Sequence, residues 1–214
     1  MLSSLVERLN DRRRADEEVG EDAGFTLIEL MVVLLIMAIL LAIAIPTFLG
    51  VTGSANDRAA QSNLNTALTS AKGVYESNQQ SYPATATVIS DIQSDEPSLS
   101  VVSDPGATAS IAAGDIGVYV SAGGNGAVLF SLAKKTNECW WVADNTQAIA
   151  NGGTTAQPTA PWTASGAGIP NKAGDYYGVF KLSSTAGSQY CNIADIVKTA
   201  SSNVKTSGFP PAAP

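Results

Sequence analysis

From Gly24 to Leu49 the chain reads GFTLIELMVVLLIMAILLAIAIPTFL, and this stretch decides the fold. No residue from Leu30 to Leu49 is charged, and nearly all are Leu, Ile, Val, Met or Ala. As a helix rising ~1.5 Å per residue, the run spans about 30 Å, the thickness of a bilayer's hydrocarbon core. Upstream, Met1 to Gly24 is polar and densely charged, with Arg8, Arg12, Arg13 and Arg14 set among seven acidic residues. Leu2, Leu5, Val6 and Leu9 recur at helical spacing, so a short amphipathic helix is predicted there. A secretory signal peptide places its apolar core before the cut; here charge comes first and the apolar run second. The arginines just before the span put the N-terminus on the cytoplasmic side and the large C-terminal part outside.

Helical character continues past the apolar run. Between Ala55 and Tyr75, Leu64, Ala67, Leu68, Ala71, Val74 and Tyr75 form one stripe, while Asp57, Arg58, Gln61, Asn65 and Lys72 fall mostly on other faces. Ser81-Tyr82-Pro83 ends the pattern. One helix from about Phe25 to about Asn78 would be roughly 80 Å long. Inside it, Pro46 lacks the N–H that would bond the Ala42 carbonyl. That is either a tolerated membrane kink or a segment that stretches during assembly.

Beyond Pro83 lies a Ser-, Thr- and Asp-rich segment of poor periodicity. Strand signals follow. Ile116, Val118 and Val120 alternate, as do Val128, Phe130 and Leu132, and Gly123-Gly124-Asn125-Gly126 between them makes a β-hairpin. Cys139 to Ala143 and Tyr176 to Leu182 read as two more strands. Asn151 to Gly174, rich in Gly, Thr, Ala and Pro, reads as a long exposed loop, and the proline-rich tail from Ser207 to Pro214 as extended chain.

The 214 residues carry a formal net charge of −7, which argues against a nucleic-acid partner held through phosphates. Histidine is missing altogether, which excludes Ser-His-Asp and Cys-His catalysis and His-containing zinc sites. Neither a metal site nor a cofactor is expected. The only cysteines, Cys139 and Cys191, form an even pair in an exported domain and read as a disulfide. Trp140 and Trp141 point to opposite faces of a strand, one into the core and the other toward the surface or a subunit contact. Asp144, Asn145 and Asp175 lack EF-hand spacing and read as solvated loop residues. The Gly123 to Gly126 run lacks the Lys-Ser or Lys-Thr of a phosphate loop.

The motif Gly24-Phe25-Thr26-Leu27-Ile28-Glu29-Leu30 resembles the processing site of type IV prepilins. The likeness extends through the uncharged span, Pro46 and the amphipathic helix to about Pro83, with only the general architecture agreeing beyond. It implies a cleaved leader (residues 1–24), a membrane and filament-core half of the helix (25–54) and an extracellular head (55–214). It also implies cleavage by prepilin peptidase between Gly24 and Phe25, and methylation of the Phe25 amine. Glu29 is then either an interfacial carboxylate or the partner of a neighbouring subunit's Phe25 amine. The long acidic leader departs from the family's short basic ones, and Ala38 stands where members often carry a glycine. The expected fold is α+β, a long N-terminal α-helix packed on an antiparallel β-sheet of about four strands. The implied function is that of a pilus subunit, a single-pass membrane precursor later polymerised into an extracellular filament with helices inward and sheets outward. Its partners would be other pilin subunits, prepilin peptidase, the pilus assembly machinery and, before assembly, membrane lipid. A pseudopilin or minor pilin of a secretion or DNA-uptake machine shares the motif and is the alternative. A membrane-anchored exported enzyme or sugar-binding protein is a third reading, weakened in its enzyme form by the missing histidine.

Overall fold

The computed structural model describes residues 25–106, 109–133, 135–148, 162–163, 169–182, 190–199 and 204–211. The chain divides into two units, Met1–Phe48 and Leu49–Pro214.

In the first unit, helix α1 (Leu27–Ser77, continuing into the second) leaves its apolar side chains uncovered on every side, Leu34 at 67% and Ile43 at 65% exposure among them. The segment is rich in Val and Ile, which are indifferent helix formers in water. In lipid the balance changes, because a helix satisfies every backbone N–H and C=O within the segment. The helix runs through Pro46.

The second unit, the head, is built on the rest of α1. Ala60, Leu64, Ala67, Leu68, Ala71 and Val74 are buried, the stripe read from the sequence extended by one turn. The helix ends at Ser77, and Gln79 and Gln80 turn the chain with φ of 55° and 57° before Pro83. The segment of poor periodicity then forms a second helix, α2 (Thr85–Asp95), which buries only Val88 and Ile92.

Strands β1 (Val101–Ser103), β2 (Ile116–Val120), β3 (Gly126–Leu132), β4 (Glu138–Asn145) and, after two short strands, β7 (Gly174–Lys181) form one sheet in the order β1-β2-β3-β4-β7. β1 runs parallel to β2 and all other pairs are antiparallel, so the sheet has five strands and is antiparallel-rich rather than purely antiparallel. At the β2–β3 turn, Gly124 has φ +68° and its carbonyl accepts the Tyr82 N–H at 2.8 Å, which ties the hairpin to the chain leaving α1. At the other end of the hairpin stack, the β3–β4 turn meets α1. There the Thr136 hydroxyl donates to Asp57 and Lys135 Nζ donates to the Thr52 hydroxyl at 3.3 Å.

Both faces of the sheet are covered. Ile116, Val118, Leu129, Trp140, Val142 and Val179 face α1 and α2. Val128, Phe130, Cys139, Trp141, Ala143 and Phe180 face a second cluster with Ile111, Ile169, Cys191, Ile193 and Ile196. The sheet is therefore not an open outer layer, and every residue of β4 is buried. Trp140 and Trp141 do point to opposite faces, but each is 1% exposed and each is core, so neither is a surface residue. Across the second face runs the row Gly117, Phe130, Trp141, Gly178, paired strand to strand. A Cβ on either glycine would lie closer than 3.0 Å to the neighbouring ring, so the two aromatic rings lie over the glycines.

The second face is covered by helix α3 (Ile193–Thr199) and by β6 (Ile169–Pro170), which pairs in parallel with β5 (Trp162–Thr163). The expected Asn151 to Gly174 loop thus includes paired strands and a fully buried Ile169; its remaining residues, apart from 171–174, lie outside those described. In the tail, Lys205 exchanges both backbone hydrogen bonds with Tyr177, at 2.8 and 2.9 Å. Phe209 sets its ring edge-on to Tyr177 and Trp140, with centroids 5.1 and 5.8 Å apart.

Candidate functional site

The first turn of α1 is built by two side chains. Thr26 stands just before the helix, and its hydroxyl oxygen accepts the Glu29 N–H at 3.3 Å. In return the Glu29 carboxylate accepts the Thr26 N–H at 2.9 Å and the Thr26 hydroxyl at 2.8 Å. This is a reciprocal capping box, which satisfies donors that a helix start otherwise leaves without partners. A carboxylate in the first turn also complements the positive end of the helix dipole. The signal lies inside the processing motif as Thr26-Leu27-Ile28-Glu29, a Thr with Glu three residues later before an apolar run.

Phe25 and Glu29 lie one turn apart and, with Ile28, Val32 and Val33, line one shallow apolar hollow on the helix. Gly24 lies outside the described residues. Pro46 lies roughly five turns further along the same helix. Next to it, the Thr47 hydroxyl donates to the Ala44 carbonyl at 2.9 Å and to the Ile43 carbonyl at 3.2 Å. The helix is thus continuous at the proline, with a side chain bonding backbone oxygens of the preceding turn.

In the head, Cys139 on β4 and Cys191 just before α3 are joined, with Cα atoms 5.4 Å apart and a sequence separation of 52. Closing such a loop stabilises a fold by about 4 kcal/mol in the chain-entropy account. The bond holds α3 on the second sheet face, and hydrogen bonds extend the attachment. Cys191 N–H donates to the Ser110 hydroxyl at 2.9 Å, and Ile193 N–H to Asp104 at 2.9 Å. Asn192 Nδ2 donates to the Gly106 and Ala109 carbonyls.

Asp144, Asn145 and Asp175 are strand residues with partners, not solvated loop residues. The Asn145 amide donates to the Pro170 carbonyl at 2.7 Å and to that of Lys172 at 3.0 Å. Buried Asp144 accepts the Tyr82 hydroxyl and stands opposite Asp175 across the β4–β7 pair. Asp175 in turn holds Lys72 from α1, with N–O distances of 3.0 and 2.8 Å. Burial raises the Asp144 carboxyl above its ordinary value, and the Tyr82 bond and the Lys72 charge offset that only in part. Burial, followed by the bond to Asp144, pushes the Tyr82 phenol far above its ordinary range. The network joins α1, the Tyr82 turn, β4 and β7, which makes it a structural tie. Among the described residues no group of three or more acidic or cysteine side chains is placed to hold a metal ion.

A family model described as the prokaryotic N-terminal methylation motif matches residues 21–45, the span that contains the capping box and most of the exposed apolar helix. No curated protein and no solved structure matches the chain. The chain thus carries the type IV prepilin-like signature, and its long helix and antiparallel-rich sheet are α+β as in type IV pilins. The signature supports a pilin-like or pseudopilin protein, fits a membrane-anchored precursor and implies processing by prepilin peptidase.

Proposed function

We propose that this chain is a structural subunit of a type IV pilus, cut between Gly24 and Phe25, methylated on the Phe25 amine and polymerised into an extracellular filament. One observation carries the reading: the methylation motif lies on the apolar first part of α1, whose large side chains from Leu27 to Ile45 are all exposed among the described residues. Such a surface is stable only against lipid or against other helices. Membrane storage followed by transfer into a helix-packed fibre supplies both environments. The chain's role is structural, not enzymatic.

Cleavage would create an ammonium on Phe25, next to the Thr26 N–H that the Glu29 carboxylate accepts. In a filament core with little water, an unpaired charge costs several kcal/mol. Glu29 therefore exchanges its capping contacts for the Phe25 amine of a neighbouring subunit as each helix enters. Pro46 leaves the Ala42 carbonyl without its usual donor, which gives the helix a place to lengthen under packing or load. The test is mass spectrometry of filaments sheared from cells. An abundant chain beginning at methylated Phe25 is expected. A processed chain that stays in the envelope, and is scarce in the sheared fraction, would refute the pilus reading and leave the pseudopilin or minor-pilin one.

A further inference from the structure

Charge is unevenly distributed along the head. From Gly73 to Ala133 there is no Lys or Arg, yet six acidic residues fall there, and every cation after Lys72 lies at position 134 or beyond. The fold converts this into a spatial asymmetry. The cation-free segment builds α2 and β1, at one edge of the sheet, and the lysine-bearing segment builds β7 at the opposite edge. On the first edge Asp95 is exposed and Asp91 and Glu96 are half-buried; on the second, Lys172, Lys181 and Lys205 are exposed. None of these six has an ion-pair partner among the described residues. Near β7, Asp175 is held by Lys72 and Asp195 by Lys198, while the buried Glu138 stands opposite Lys181 and the buried Asp144 opposite Asp175 in the strand register.

The two clusters also stand at matching heights. α2 starts beside Val120, whose N–H donates to the Thr85 hydroxyl, and the chain after it returns to Ile116 through the Ser100 carbonyl. Lys205 pairs with Tyr177, which the strand register places level with Val118. Four strand spacings of ~4.8 Å separate the edges by about 19 Å. That exceeds the screening length of about 8 Å at physiological salt, so the clusters cannot neutralise each other within one chain.

We infer that these edges are two halves of one contact between copies of this chain, the acidic α2–β1 edge of one head against the lysine-bearing β7 edge of the next. The inference rests on the pilus reading above. A contact between unlike patches generates an open polymer rather than a closed dimer, as a filament requires. Complementary charge sets partner choice and register more than raw affinity, which suits heads already tethered through packed helices.

The test is a charge swap in cells making the full-length chain. Asp91→Lys, Asp95→Lys and Glu96→Lys together make both edges basic, and Lys172→Glu, Lys181→Glu and Lys205→Glu together make both acidic. Each set is expected to lower the sheared filament yield by about tenfold or more, since like charges then meet at every contact. Combining the two sets restores opposite charges and should restore filaments. Mapping of the Cys139–Cys191 bond in the membrane fraction reports whether each head still folds. A neutral set, Asp91→Asn, Asp95→Asn and Glu96→Gln, should fold like the parent and give fewer filaments at low salt, with a yield that falls less than the parent's as salt is added. Single-edge sets that assemble at the parental yield and salt resistance would overturn the inference. So would a combined set no better than either single-edge set while its disulfide is formed, or a neutral set with the parent's low-salt yield and salt dependence. If the parental chain itself makes no filaments, the pilus reading fails and this contact falls with it.

Discussion

Replacing Cys139 and Cys191 together by alanine removes the one covalent tie between β4 and the layer that covers the second sheet face. Both cysteines are fully buried and 52 positions apart, so the bond restrains a long loop in the unfolded chain. Releasing that restraint corresponds to about 4 kcal/mol. For a unit of the head's size each kcal/mol moves the melting temperature by roughly 2–4 °C, so a drop of about 8–16 °C is expected. The assay is thermal unfolding of detergent-solubilised chain followed by near-ultraviolet circular dichroism, to which buried Trp140 and Trp141 contribute. Trp141 shares the disulfide's cluster, so its signal should be lost first. A shift below about 3 °C would refute the reasoning. It would show that the contacts of Asp104, Ser110 and Asn192 hold the 191–193 segment in place without the bond.

Glu29→Ala and Glu29→Gln should both give processed monomer stranded in the membrane, with Glu29→Asp keeping some assembly; normal filament numbers from the first two would reduce Glu29 to a helix cap. Gly178→Ala should cost about 1–3 kcal/mol by pushing the Trp141 ring aside, whereas Gly73→Ala, at an exposed helical position with open space, should add about 0.5–1 kcal/mol; melting temperatures of the two variants decide. For Asp144 the folded carboxyl lies above its ordinary value of 3.8, so its proton-linked stabilisation is full below that value and is lost as pH rises through the folded one. With Tyr82, Asp175, Lys72 and Tyr177 facing it, Asp144→Asn should gain stability relative to the parent as pH rises from about 4 toward neutrality, and parallel pH–stability curves would contradict this.

Much of this architecture was legible because its signals are local. The apolar run, the stripe from Leu64 to Tyr75 and the glycine turn at 123–126 each declare an element within one or two turns of chain. α2 was not legible: it buries only Val88 and Ile92, and Ala84 before it supplies no side-chain cap. β1 is three residues long and exists only through pairing with a strand met later in the chain. The covered second face did leave a trace. Cys139 to Ala143 is continuously apolar rather than alternating, the pattern of a strand buried on both sides. Of the candidate site, Phe25 and Glu29 were readable as a motif, and the Thr26 cap was present in the same letters. The Tyr82–Asp144 bond joins residues 62 positions apart, which no local pattern encodes.

The C-terminal tail bears on how such a chain avoids the wrong association. An open sheet edge is a template for any passing strand, and chains held at high local density in a fibre or membrane are exposed to that hazard. On the β7 side, Lys205 occupies the backbone groups of Tyr177, and Phe209 folds over the same residue. On the other side, β1 offers only three residues. A foreign strand would find one edge obstructed at its centre and the other too short to grip. Trimming the last residues would then do more than loosen a terminus: it would turn a guarded rim into a sticky one, and amyloid-like clumping would compete with ordered growth.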